Sequence, residues 1–496
     1  MNRRVVSFVL LCGFILSNQG VLARDSSLVG WLSPKVGQRI WGLNPSSLES
    51  YCVYQTLCRD RDSAAWIQQL TGCPAHLVLL LANLVARAGL ESGDDVFLGS
   101  HENHEAVCWL HDQFSSGIKD EIDLGRELIS SEFNENSDVE QKIAWYSLFL
   151  DVLALRARAI YFLKTQRGDQ CRDKEEQHIS LISAINTLLF EEMGIRYPSK
   201  KEMFEEKFSL LSSVVSGKFG VCLGVSSLYL CIAQRLGVPL EIITPPGHIY
   251  LRYLKSSGEY LNIETTAGGC HYETERYESI DIEGLTQRSM KEVVGLTFMN
   301  QGSFFLYAKN YRQAAHFYEK AASILQDSLL KELLAISLIL SGKETEGEKL
   351  LKSVLDKSSN KNSIASQYLS GKIGKGALEI VFSEPRDSYE DLLSYGKQLQ
   401  WVSDQYPDFL DARRKLASIF LQLGKTREAL NTLEYCYSRD SDNLSLVLSL
   451  CQLYLERMDY LKAKIMLTKG EELSLKKHSG WYAVRKMRTR VARVAP

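Results

Sequence analysis

Charge is nearly balanced along this chain. Its 58 Lys and Arg stand against 60 Asp and Glu, for a formal net charge of −2. No basic surplus points to nucleic acid, and none is expected as a partner. Basic residues are scattered until the C-terminus, where Lys476, Lys477, Arg485, Lys486, Arg488, Arg490 and Arg493 gather. That segment is expected as a solvated helix end, with a basic tail over 481–496. Long apolar runs are also scarce. Residues 78–86, VLLLANLVA, are broken by Asn83 and read as a soluble helix. Residues 5–16, which follow Arg3 and Arg4, are apolar but too short to be a good membrane span. A lipid-attachment context is missing around Cys12, and the HExxH zinc motif is missing because Glu105 stands where the second His would be.

The apolar run at 5–16, with Val21-Leu22-Ala23 behind it, is the pattern of a secretory signal peptide over 1–23. Cleavage after Ala23 predicts a mature chain that starts at Arg24, without an integral membrane span; a retained anchor is the alternative. Export changes how the eleven cysteines are read. Cys52 and Cys58, with Cys73 nearby, are able to pair in an oxidising compartment, but spacing does not fix the pairing.

At 496 residues, two or three domains are expected. Pro34, Gly37, Gly42 and Pro45 break up the stretch after the leader, and a helical region then runs to about 139, with Pro74 at a first helical position. His101, His104, Cys108 and His111 share one face of a helix there. Four such residues span about 15 Å, too far for one ion, so no metal site is expected. Residues 143–161 and the stripe Ile182, Ile185, Leu188 and Leu189 predict two further helices as scaffolding.

The chemistry concentrates in 217–269. Cys222 follows a glycine-bearing loop, and Val225, Leu228, Tyr229, Ile232, Ala233 and Leu236 recur at helical spacing behind it. Gly237 and Pro239 stop that helix. A thiol at a helix N-terminus sits at the positive end of the dipole, which favours the nucleophilic thiolate. His248 follows Pro245, Pro246 and Gly247 and leads into the alternation Ile249, Leu251, Tyr253 of a strand. Ser256, Ser257 and Gly258 make a turn, and a second strand over 260–264 ends on Glu264. Imidazole takes the thiol proton and returns it to the leaving group, while a third polar side chain orients the ring. Asn262 is an alternative orienting residue to Glu264. Cys231 is read as a small buried hydrophobe, and Cys270-His271 as a loop pair without a role.

INTLLFEEMGIR at 185–196, GVCLGVSSLYLCIAQRLGVPLE at 220–241, PGHIYLR at 246–252 and the turn that begins at Glu264 resemble the transglutaminase-like superfamily, a branch of the papain-like cysteine enzymes. Within it they are most similar to the bacterial SirB-type branch, often fused to tetratricopeptide (TPR) repeats. The resemblance covers about 140–290 and implies that Cys222 and His248 are the catalytic pair, with Glu264 where the superfamily usually has Asp. It also implies a cofactor-free acyl chemistry. Members without the Cys are implied to be non-enzymes, and this chain keeps it.

From about 292 the pattern becomes an internal repeat. Gly302, Phe305, Ala314, Tyr318 and Ala321 are echoed by Ala335, Leu338, Gly347, Leu351 and Val354 after 33 residues. Ala417, Phe420, Ala429, Leu433 and Cys436 are echoed by Cys451, Tyr454, Ala463, Leu467 and Gly470 after 34. Period and positions match the TPR helix–turn–helix unit. Residues 388–407 read as the second helix of a further unit whose first helix, around 363–382, is degenerate.

The expected fold is α+β. A helix-rich region (24–139) and a papain-like, transglutaminase-like core (140–291) precede an all-α TPR solenoid (292–480). The expected function is an exported thiol hydrolase or acyl transferase acting on amide or ester bonds, with a protein or peptide bound by the repeats. The alternative is a non-catalytic scaffold whose repeats do the work; a peptidoglycan-directed thiol peptidase is suggested by the leader alone. Leader and resemblance together imply the periplasm, or secretion from a Gram-negative bacterium.

Overall fold

The computed structural model describes residues 122–134, 136–165, 173–199, 205–277, 285–355, 363–383 and 388–494, together with 108, 110–114 and 118. The leader, the Pro74 helix, Cys52, Cys58, Cys73, His101 and His104 lie outside the described residues. The chain divides into two compact units. One is Met1–Arg196 with Val215–Lys218 and Ser227–Pro239; the other is Tyr197–Val214 with Phe219–Ser226 and Leu240–Pro496.

The first unit is built on α1 (Leu124–Phe133), α2 (Val139–Thr165) and α3 (Lys174–Asn186). Asp123 and Asp173 cap α1 and α3 by accepting from the N–H groups of Arg126 and Glu175. The helix expected at 143–161 is thus longer at both ends, and α3 stops at Asn186. Leu188 and Leu189, read as part of its stripe, instead lie in a wider π-type turn, Thr187–Glu192. That turn rotates both leucines into the core, where neither has exposed surface. Next come α4 (Leu211–Gly217) and α5 (Cys222–Arg235). From Ser227 onward α5 belongs to this unit. Its Tyr229 hydroxyl donates to the Ile182 carbonyl at 3.2 Å and to Asn186 at 2.9 Å. Arg235, fully buried, donates to Asp151 at 2.6 Å and to Asp123 at 3.4 Å. Its charge is tolerated there because both carboxylates answer it.

The second unit opens on a four-stranded sheet of order β3-β2-β1-β4, all antiparallel. The strands are β1 (Glu241–Thr244), β2 (Tyr250–Leu254), β3 (Tyr260–Ile263) and β4 (Thr286–Arg288). Leu251 pairs with Ile242 on one side and Ile263 on the other, which fixes the register. Sequence reading found β2 and β3 but not β1 and β4. Strand β4 is the polar Thr-Gln-Arg, without apolar alternation; Arg288 fastens it by donating to Thr244, Glu292 and Asp327.

Helices then run to the end of the described chain: α6 (Met290–Tyr307), α7 (Tyr311–Ala322), α8 (Ser328–Leu340), α9 (Glu344–Leu355), α10 (Ile364–Leu369), α11 (Lys375–Val381), α12 (Tyr389–Gln405), α13 (Leu410–Gln422), α14 (Thr426–Arg439), α15 (Leu444–Glu456), α16 (Tyr460–Lys477) and α17 (Trp481–Val494). α6 packs on α7, α8 on α9, α13 on α14 and α15 on α16, as TPR-like hairpins. The repeat positions are where helices meet closely. A Cβ on Gly302 would lie 2.6 Å from the Tyr318 ring, and one on Gly347 would lie 2.6 Å from the Ala335 carbonyl oxygen. The degenerate first helix expected around 363–382 is two short helices, α10 and α11, divided at Gly371 in a left-handed conformation. The segment expected as a basic tail is a helix: Val484, Met487 and Val491 of α17 are buried against α15 and α16, and its arginines face outward.

Candidate active site

Cys222, His248 and Glu264 all lie in the second unit. Two glycines bring the start of α5 against neighbouring chain. A Cβ on Gly220 would meet Val214 and Val225 at 2.7 and 2.8 Å, and one on Gly224 would meet the Phe208 carbonyl oxygen at 2.5 Å. Val221 N–H donates to that same carbonyl at 2.8 Å. Cys222 is therefore the first residue of α5, half-buried, with a free thiol. N–H groups of a helix's first turn have no acceptor within the helix, so they point toward whatever approaches the sulfur.

His248 stands at the entrance to β2. Gly247, at φ 70°, turns the chain there, and His248 N–H donates to the Pro245 carbonyl at 3.1 Å. Its ring Nε2 lies 2.8 Å from Glu264 Oε2. The Cys222 side chain lies close enough to act on the imidazole as a hydrogen-bonding and charged neighbour. Burial works against a charged ring, but the hydrogen bonds to Cys222 and Glu264 outweigh it and push the imidazole up to about 10.

Glu264 sits just past β3, at the head of a tight turn through Thr265–Ala267. Its Oε1 accepts from Thr266 N–H at 3.1 Å and from Thr266 Oγ1 at 2.5 Å. Burial disfavours the carboxylate, yet the His248 and Thr266 bonds hold it below the usual range. Ser226 and Thr265 hydroxyls, both buried, bond at 2.9 Å and tie the first turns of α5 to the Glu264 turn. Asn262, the alternative orienting residue, is turned away: its Nδ2 donates to the Tyr272 carbonyl at 2.7 Å and to Thr274 at 3.0 Å. His271 Nδ1 accepts from Asn262 N–H at 3.0 Å, so that loop histidine serves the backbone. Cys231 is fully buried, and burial pushes its thiol up.

Sequence reading missed the aromatic surroundings. Tyr277 is stacked parallel to the His248 ring and to the Tyr250 ring. Phe219 and Tyr197, 44% and 39% exposed, flank the Cys222 loop. Burial first, then the charges of Cys222 and Glu264, push the Tyr197 hydroxyl up. No spacing rule reaches such residues. Among the described residues no group of three or more metal-ligating side chains converges, and no helix is long and apolar enough to cross a membrane.

A helix start and a strand pair thus bring a thiol, an imidazole and a carboxylate to one place. Residues 145–293 match the model of the Transglutaminase-like superfamily. That match covers under a third of the chain. Among curated proteins, mouse F-box only protein 21 (Mus musculus) is 27% identical over 82 residues, which are 16% of this chain and only 13% of that protein. Solved structures with similar helical arrangement include one of MamA, which is 16% identical over 37% of this chain and 98% of that one, with a TM-score of 0.20. The TPR2AB domain of yeast Sti1 in its complex with pHSP90 is 11% identical over 41% of this chain and 98% of that one, with a TM-score of 0.20. Menin is 14% identical over 69% and 92%, with a TM-score of 0.35.

Proposed function

We propose that this chain is an exported thiol enzyme of the transglutaminase-like, SirB-type branch, with its leader at 1–23, its catalytic core at 140–291 and a TPR-like solenoid at 292–480. Cys222 attacks the carbonyl carbon of an amide or ester, and its proton passes to His248. The Cys222 N–H stands at the developing oxyanion. His248 then returns the proton to the departing amine or alcohol, leaving an acyl group on sulfur. Water completes a hydrolysis, an amine a transfer. Glu264 keeps the imidazole oriented and supports its positive charge. The observation that carries this reading is the His248 ring bonded to Glu264, 2.8 Å away, with the Cys222 side chain close enough to act on the same ring.

Iodoacetamide labelling against pH tests it, with the labelled cysteine mapped by mass spectrometry. Fast labelling of Cys222 below pH 7, slowed in His248→Ala, is the expected result. An ordinary thiol profile, or Cys222 found in a disulfide, refutes the enzyme reading. N-terminal sequencing of the exported protein, expected to begin at Arg24, tests the leader.

A second reading is favoured by a groove of about 1080 Å³ lined by α13, α14, α15 and α17, with Arg414, Lys486 and Arg490 against the single carboxylate of Glu456. Such a surface suits an acidic stretch of a protein partner. If the repeats alone carry the function, Cys222→Ala leaves partner capture and phenotype intact.

A further inference from the structure

We infer that Tyr277 is the positioning residue of the His248 imidazole, a flat clamp that fixes the plane in which the ring faces both Cys222 and Glu264. The inference rests on reading those three residues as the working site. One hydrogen bond, from Nε2 to Glu264, leaves a ring free to rock about that bond, and the His248 side chain is 29% exposed. A second restraint is needed if the opposite nitrogen is to stay on the sulfur. Tyr277 supplies it. Its ring is within 9° of parallel to the imidazole, with centroids 6.0 Å apart, an offset stack. Tyr277 does not stand alone: it lies on Tyr250 at 3.6 Å and 11°. Tyr250 has no exposed surface, and its backbone pairs with Ile243 across the sheet. The imidazole plane is thus referred through two rings to the central strands of the sheet.

The hydroxyls are not what holds the ring. Those of Tyr250 and Tyr277 are buried without a hydrogen-bond partner. Burial first, and then Glu264, push the ionisation of Tyr277 up, so it stays neutral beside that carboxylate.

The test compares Tyr277→Leu, which removes the face, with Tyr277→Phe, which keeps the face and removes the hydroxyl. Tyr277→Met stands in should the leucine variant fail to fold. Three quantities are read on the full chain: Cys222 alkylation against pH, the His248 titration by NMR of ring-labelled histidine (assigned with His248→Asn), and the melting temperature. Losing the face should slow labelling at pH 6 by about fivefold and move the His248 midpoint down by at least about half a unit, while Phe changes labelling by less than about twofold. A folded face-less variant with both profiles unchanged overturns the inference. So does one that only melts earlier, since that is a structural role. An ordinary alkylation profile in the unmodified protein defeats the catalytic reading instead, and the His248 titration still decides what Tyr277 does.

Discussion

Glu264 is one methylene longer than the Asp usual at its place, and the geometry uses that length. Its two oxygens divide the work, one on His248 and one on Thr266. Glu264→Asp withdraws the carboxylate by about 1.5 Å, one C–C bond. The 2.8 Å bond to His248 then passes beyond hydrogen-bonding range. The expected outcome is Cys222 alkylation at pH 6 slowed about tenfold, about a 1.4 kcal/mol loss, and slowed further in Glu264→Gln, which lacks the charge. Equal rates in all three proteins would remove Glu264 from the site. The convergence of Cys222, His248 and Glu264 was legible because helix start, strand entrance and hairpin turn each leave local marks. The choice between Asn262 and Glu264 was not. Two residues apart, they share a strand face if the strand continues, but β3 ends at Ile263 and the chain turns between them. Tyr277 left no mark, because its stacking depends on contacts distant in sequence.

At the scale of elements, the hairpin turns carry a shared device. One residue in the left-handed region follows the first helix of each clear pair: Lys309, Gly342, Gly424 and Met458. Glycine takes that conformation freely; lysine and methionine take it at a cost of about 1 kcal/mol. Met458 is 72% exposed and anchors nothing, so Met458→Gly should stabilise the chain by roughly 0.5–1 kcal/mol in a denaturant melt. Gly347→Ala should do the opposite by about 1–3 kcal/mol, because its new methyl meets the backbone carbonyl of Ala335, which has no rotamer to move. Unchanged midpoints for both would show that these turns and contacts do not set the stability. The repeat itself was legible because close helix approaches demand Gly or Ala at a fixed period. β4, the π-type turn and the divided helix α10–α11 were not, since polar pairing and local changes of helical pitch break the periodicities that sequence reading relies on.

For the whole molecule, protonation at the site is coupled to global stability. His248 holds its proton up to about 10 in the folded chain, against an ordinary value of 6.5. A group that binds its proton more tightly when folded contributes fully below about pH 6.5. That contribution declines above this value and is gone once the pH has passed about 10. Glu264, held low, has the opposite sign: its contribution is present above its unfolded value and is lost as pH falls through the folded one. The two together place the stability plateau between about pH 4.5 and 6.5. The buried Cys231 thiol, pushed up by burial, also favours the folded chain less as pH rises, but only from about 8.5, the ordinary thiol value. The window from about 6.5 to about 8 lies below that thiol; His111, raised by its hydrogen bond to Asp151, titrates there with the same sign, so the comparison with a His248 variant isolates the site imidazole. Calorimetric melting at constant ionic strength should show the unmodified protein losing stability across that window, and His248→Gln losing much less. Equal slopes in the two proteins would mean that the imidazole is not held charged by Cys222 and Glu264, and the ion pair on which the proposed acyl chemistry depends would fall with it.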